Sequence, residues 1–111
     1  MASTWDELAA GTVDCPFDDP RPASNEFLYF VRKLAVSSLY LDRDQGYRGH
    51  CILIYDLRHV TRIDQLSTDE WLAMAGDLHV AETAIYRTFQ PDHINVESLG
   101  NGMPHLHWHI T

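Results

Sequence analysis

The segment His105-Leu106-His107-Trp108-His109-Ile110 decides how this sequence is read. Its two-residue alternation is the period of a β-strand, whose successive side chains point to opposite faces of a sheet. Leu106, Trp108 and Ile110 would share one face and pack on a core, while the three imidazoles share the other and look into a pocket or solvent. Neighbouring imidazoles would stand about 6 to 7 Å apart, twice the strand rise per residue. Of seven histidines in 111 residues, three fall in the last seven, a clustering that composition alone does not predict. His50, His79 and His93 carry no such pattern and are read as ordinary surface or satisfied core groups.

Upstream of this strand, Leu99 to Pro104 is a loop with Gly100 and Gly102, and His93 to Ser98 is a further strand. Ser67-Thr68-Asp69-Glu70 is a capping box, and the apolar residues Trp71, Met74, Ala75, Leu78, Ala81, Ala84, Ile85 and Phe89 follow it at helical spacing. The helix must end before Pro91, because proline disfavours helix at the preceding residue. His50 to Leu57 holds the apolar run Cys51-Ile52-Leu53-Ile54, which predicts a strand covered on both faces. Asp42 to Gly49 is short enough for a hairpin, and within Phe27 to Leu41 the stretch Ala35 to Leu41 reads as its other strand. Thr4 and Glu7 form a capping box for a short N-terminal helix ending at Gly11, and the proline-rich Val13 to Asn25 reads as an extended surface loop. The expected fold is α+β: an antiparallel sheet of four or five strands, one long helix on a face and a short N-terminal helix. At 111 residues the chain is expected to be one domain, residues 1–26 forming its N-terminal helix and loop and 27–111 its core.

Composition narrows the partners. The formal charge is −8 with eight Lys plus Arg, so the basic footprint that holds a long nucleic acid is missing, although loop amides and imidazoles can still hold one phosphate. The longest apolar stretch is too short to cross a bilayer and the N-terminus lacks a secretory layout, so no membrane partner and a cytoplasmic location are expected. Cys15 and Cys51 have no CxxC spacing and are expected to be free thiols.

Two chemistries suit a strand with three imidazoles on one face. His-x-His can present two nitrogens to a metal ion. Alternatively, one imidazole attacks phosphorus while another protonates the leaving group, since histidine titrates near neutrality and serves as nucleophile or acid. Gly100-Asn101-Gly102 favours the second, because amides exposed just before a strand can cradle phosphate oxygens.

Pro104-His105-Leu106-His107-Trp108-His109-Ile110 resembles the signature of the histidine triad (HIT) superfamily, three histidines separated by apolar residues. Gly100-Asn101-Gly102-Met103-Pro104 resembles the family's phosphate-loop lead-in. The likeness continues upstream through Leu39 to Asp44, Arg48 to Ile54, Arg58-His59-Val60 and the long helix, covering roughly residues 27–111. The resemblance implies that His107 is the nucleophile of a covalent nucleotidyl-histidine intermediate and that His109 contacts the scissile phosphate and assists the leaving group. It implies supporting roles for His105 and His59, a ribose contact for Asp42, a phosphate-site lining for Asn95, and loop contacts to nucleotide from Asn101, Gly102 and Met103.

The same resemblance implies a homodimer, with apolar surface on Phe27, Tyr29, Trp71 or the Ile52 strand available for it. Some members carry a structural zinc site that begins with Cys-x-x-Cys; here Cys15-Pro16-Phe17-Asp18 lacks the second thiol, so neither metal nor other cofactor is expected. The expected function is hydrolysis or nucleotidyl transfer at the α-phosphate of a small nucleotide conjugate: a dinucleoside polyphosphate, a phosphoramidate or an acyl adenylate. Two rivals are a nucleotide-binding protein without catalysis and a histidine-ligated metal enzyme.

Overall fold

The computed structural model describes residues 4–111. Helix α1 (Trp5–Ala10) is followed by strands β1 (Leu28–Lys33), β2 (Ser37–Asp42) and β3 (Cys51–Tyr55), the long helix α2 (Thr68–Phe89), and strands β4 (Val96–Glu97) and β5 (His107–Ile110). The strands form one antiparallel sheet in the order β1-β2-β3-β5-β4.

Both helices start where their capping boxes predict. The Ser67 hydroxyl accepts from the Glu70 amide, Thr4 does the same for Glu7, and α1 stops at Gly11 in the left-handed region at φ 72°. Helix α2 ends at Phe89, with Gln90 as its left-handed cap just before Pro91. Its buried stripe is Met74, Asp77, Ala81 and Ile85, at helical spacing. This stripe packs on Leu53, Tyr55, Leu106, Trp108 and Ile110, so the apolar side of the terminal strand faces the helix as the alternation requires. Trp71 lies tilted against Trp108 with ring centroids 6.1 Å apart.

β3 is buried at all five residues, as its apolar run predicts. Cys51, Leu53 and Tyr55 join the helix-side core, while Ile52 and Ile54 join a second, smaller cluster with Leu28 and Tyr40 on the opposite face.

Three boundaries differ from the expectation. Phe27 to Leu41 holds two strands rather than one, because the chain turns at Leu34-Ala35-Val36. The strand expected over 93–98 shrinks to Val96–Glu97, and His105 lies just ahead of β5 rather than in it. The proline-rich loop does not merely run over the surface: Cys15 is buried, and Phe17 packs against the second cluster, across the face opposite the helix.

Candidate active site and a cluster of metal-type donors

The register sets the site. His107 lies opposite Ile54 and His109 opposite Ile52, so both imidazoles emerge from the face turned away from α2. That face is roofed rather than open. His105 and His107 are only 2% and 4% exposed, which corrects the expectation of three imidazoles looking into a free pocket. The roof over His107 is Phe17, whose ring stands edge-on with centroids 5.1 Å apart and planes at 90°.

Each histidine has its own partner. The Nδ1–H of His107 donates to the His105 carbonyl at 2.6 Å, which leaves Nε2 as the lone-pair nitrogen. Burial lowers the pKa of this imidazole and keeps it neutral near pH 7. Among the described residues, the buried side-chain nitrogens without a partner are His59 Nε2 and Trp108 Nε1, so His107 Nε2 is not sealed in. His109 Nδ1 lies 3.1 Å from His50 Nε2, and His50 Nδ1 lies 3.6 Å from an Asp42 carboxylate oxygen. Burial also lowers His109, and the nearby His50 adds to that effect while Asp42 and Glu97 oppose it. His79 and His93 are exposed surface groups, as read. His50 is not, and its place beside the triad is what the sequence reading missed; the only available signal was its position one residue before β3.

The proposed nucleotide contacts divide. Asp42 and Met103 line a cleft of about 470 Å³ with Phe17, Phe27, Tyr40 and Ile52. Asn95 lines a second hollow of about 320 Å³ beside His50, Glu97 and His109. Asn101 and Gly102 line neither and are exposed, yet the amides of Gly100, Asn101 and Gly102 have no acceptor among the described residues. Free amides of that kind suit an anion. The carbonyl of Gly100 accepts from the Trp5 indole at 2.7 Å, tying α1 to this loop.

His59 and His105 belong to a different group. Nδ1 of His59 and Nδ1 of His105 lie 2.9 and 3.0 Å from the same oxygen of Asp18, and Cys15 Sγ lies 3.8 Å from His105 Nδ1. All four donors fall within 4.8 Å of one another. The His105 Nε2–H donates to the Tyr55 carbonyl at 2.7 Å, and burial lowers the pKa of the ring, so its neutral form directs the Nδ1 lone pair at a carboxylate oxygen. Two acceptors facing each other at that distance repel, and a cation between them removes the conflict. One thiolate, one carboxylate and two imidazoles also balance the charge of Zn²⁺ and match its ligand preferences. The donor set therefore fits zinc, with Asp18 standing where the second thiol of a Cys-x-x-Cys would.

A sheet with alternating imidazoles on one face and a long helix on the other defines a protein of the histidine triad architecture. A model of the HIT domain matches residues 28–111, and the chain belongs to the HIT family. Its fold is similar to that of a histidine triad protein from Bradyrhizobium japonicum, with a TM-score of 0.71 and 22% identity over 77% of this chain and 63% of that one. A histidine triad protein from Marinobacter aquaeolei gives a TM-score of 0.67 at 20% identity, over 75% of this chain and 60% of that one. A HIT family member from Bacillus subtilis gives 0.66 at 17%, over 99% of this chain and 72% of that one. The chain spans about 60% of the length of the first two of these relatives. Comparison with curated proteins finds no match. Among the described residues, no helix is long and apolar enough to cross a membrane.

Proposed function

We propose that this protein cleaves small nucleotide conjugates at the α-phosphate, through a covalent nucleotidyl intermediate on His107 that passes to water or another acceptor. The observation that carries this reading is the 2.6 Å bond from His107 Nδ1 to the His105 carbonyl, which fixes the tautomer with its lone pair on Nε2. Nε2 attacks the α-phosphorus, the P–N bond forms and the P–O or P–N bond to the leaving group breaks. His109 supplies the leaving group's proton, then accepts one from water as the P–N bond to His107 is cleaved. Splitting the displacement in two avoids one direct attack by water. The amides of Gly100 to Gly102, without an acceptor among the described residues, would stabilise phosphoryl charge. Asp42 would hold the ribose, and Phe17, Phe27, Tyr40 and Ile52 would hold the base by apolar contact, which accepts several bases.

Cys15, Asp18, His59 and His105 would hold zinc as a closed structural site, its supply being four fixed bonds between the N-terminal loop and the sheet. His59 and His105 then act by position rather than in the chemistry. A homodimer is part of the same proposal. Its candidate surface is β1 with the residue before it, where Phe27, Tyr29 and Val31 are exposed, whereas Ile52 is buried and Trp71 is engaged with Trp108. Light scattering should return twice the chain mass, and a monomer mass at micromolar concentration would refute the dimer.

The chemistry is tested with an α-labelled dinucleoside polyphosphate, denatured in alkali during turnover to preserve phosphoramidates. Label should appear on the peptide carrying His107 and vanish in His107→Asn while nucleotide binding persists. Turnover retained in that variant would eliminate the assignment. Binding without label in the native protein would establish a non-catalytic nucleotide binder instead.

A further inference from the structure

Phe17 sits between two of the four clustered donors: the sequence Cys15-Pro16-Phe17-Asp18 places its ring in the loop that a cation would close. That ring is the roof over His107 and also touches the edge of His105, with centroids 6.2 Å apart. The far end of the same loop is anchored independently. Arg21 forms a buried ion pair with Asp56 at 2.6 Å, donates to the Tyr40 hydroxyl at 2.8 Å and donates to the Phe17 carbonyl at 3.0 Å. Residues 15–21 are thus a strap across the histidine face, fixed at Arg21 without a metal and closed at Cys15 and Asp18 by side chains whose lone pairs converge.

We propose that Zn²⁺ bound by Cys15, Asp18, His59 and His105 latches this strap, so that metal occupancy sets how far Phe17 closes over His107 and shapes the cleft beside it. Without the ion, the Asp18 oxygen faces the acceptor nitrogen of His105, whose proton is held at Nε2 by the Tyr55 carbonyl. Repulsion loosens the Cys15 end, and the Arg21 pin confines the opening to the strap rather than the sheet. The latch sets access to His107 as a surface group, so it goes beyond the catalytic reading and stands whether or not His107 turns over substrate.

The test measures access directly. The intact protein is loaded with Zn²⁺, or stripped with a chelator, and His107 modification by diethylpyrocarbonate is followed by fragment mass spectrometry. One zinc per chain is expected, with modification of His107 about tenfold faster in the stripped protein, as for a local opening that leaves the global fold intact. Phe17→Ala should bind the same zinc yet show the fast rate even when loaded. Asp18→Cys should keep the latch, and Asp18→Ala should lose zinc; should Asp18→Ala fail to fold, stripping the native protein supplies the same comparison. Equal rates in loaded and stripped protein, or no stoichiometric zinc at micromolar free metal, would overturn the proposal.

Discussion

His50 Nε2 and His109 Nδ1 stand 3.1 Å apart, and an Asp42 oxygen lies 3.6 Å behind His50 Nδ1. The three groups form a line from the rim of the large cleft to the last histidine of the triad. When His109 is protonated, its Nδ1–H can donate to His50, whose other nitrogen turns toward the carboxylate; the line therefore orients His109. His50 acts through His109 and is a positioning residue. His50→Phe should lower kcat about tenfold to a hundredfold on a substrate with a basic leaving group, part of the range for general acid catalysis. With an acidic leaving group that needs no proton, such as a nitrophenolate, the loss should largely disappear. A uniform loss on both substrates would assign His50 a merely structural part.

The turn between β1 and β2 is held by Asp77 of α2. Its carboxylate accepts from the amides of Ala35 and Val36 at 3.1 and 2.9 Å and from the Ser37 hydroxyl at 2.6 Å. Asp77→Ala strands these donors and should destabilise the fold by about 2–4 kcal/mol, roughly 1–2 for each stranded amide. Urea denaturation measures it; a change below about 0.5 kcal/mol would mean that water replaces the carboxylate.

That carboxylate also explains why one strand was not legible in the sequence. Leu34-Ala35-Val36 contains none of the residues that mark turns, because the amides are satisfied by a side chain 41 or 42 positions away. Local pattern suffices where the cause is local: the capping boxes at Thr4 and Ser67, the stop before Pro91 and the alternation from Leu106 to Ile110 all appear as read. The site divides in the same way. The shared face of His107 and His109 follows from strand periodicity, whereas the meeting of Cys15 and Asp18 with His59 and His105 spans the length of the chain and depends on where the loop crosses the sheet.

Glu70 combines a helix-capping role with a charged network. It accepts from Arg58 and from the Tyr55 hydroxyl, and these bonds hold its carboxyl well below the usual carboxylate range. The Tyr55 phenol is pushed up to about 12, mainly by burial and then by Glu70. Because the folded pKa of Glu70 is depressed, its contribution is complete above the unfolded value of about 4.3 and is lost as pH falls through the folded value. Glu70→Gln, which keeps a cap acceptor, should lower Tm by a constant amount above about pH 5, and the gap to the native protein should narrow in more acidic buffer. A gap that persists unchanged at pH 2 would show that the carboxylate's charge contributes nothing.

Gly49 occupies φ +88°, and a Cβ added there would meet the Phe89 ring at 2.9 Å. Gly49→Ala thus combines backbone strain with a steric clash, and a loss of about 1–3 kcal/mol is expected. Phe89→Leu in the same chain should recover part of the loss that comes from the clash and none that comes from the backbone. Full recovery would mean the backbone term is negligible, and none would mean that Phe89 yields freely to the added methyl.

The Arg21–Asp56 pair separates two contributions that are otherwise joined in the strap. Both side chains are buried, and Asp56 also accepts from the Ser38 hydroxyl at 2.6 Å and lies 3.3 Å from the Lys33 ammonium. Removing Arg21 alone leaves a buried carboxylate with one weaker, exposed cation, at a cost of about 3–5 kcal/mol. Removing both charges, as in Arg21→Met with Asp56→Asn, should cost less than Arg21→Met alone, because no uncompensated charge remains. The strap would still lose its pin to Tyr40 and to the Phe17 carbonyl. The double variant should therefore be more stable to urea than the single one, yet bind nucleoside monophosphate more weakly than the native chain. Native affinity in the double variant would show that the strap's position is set at its Cys15 end alone.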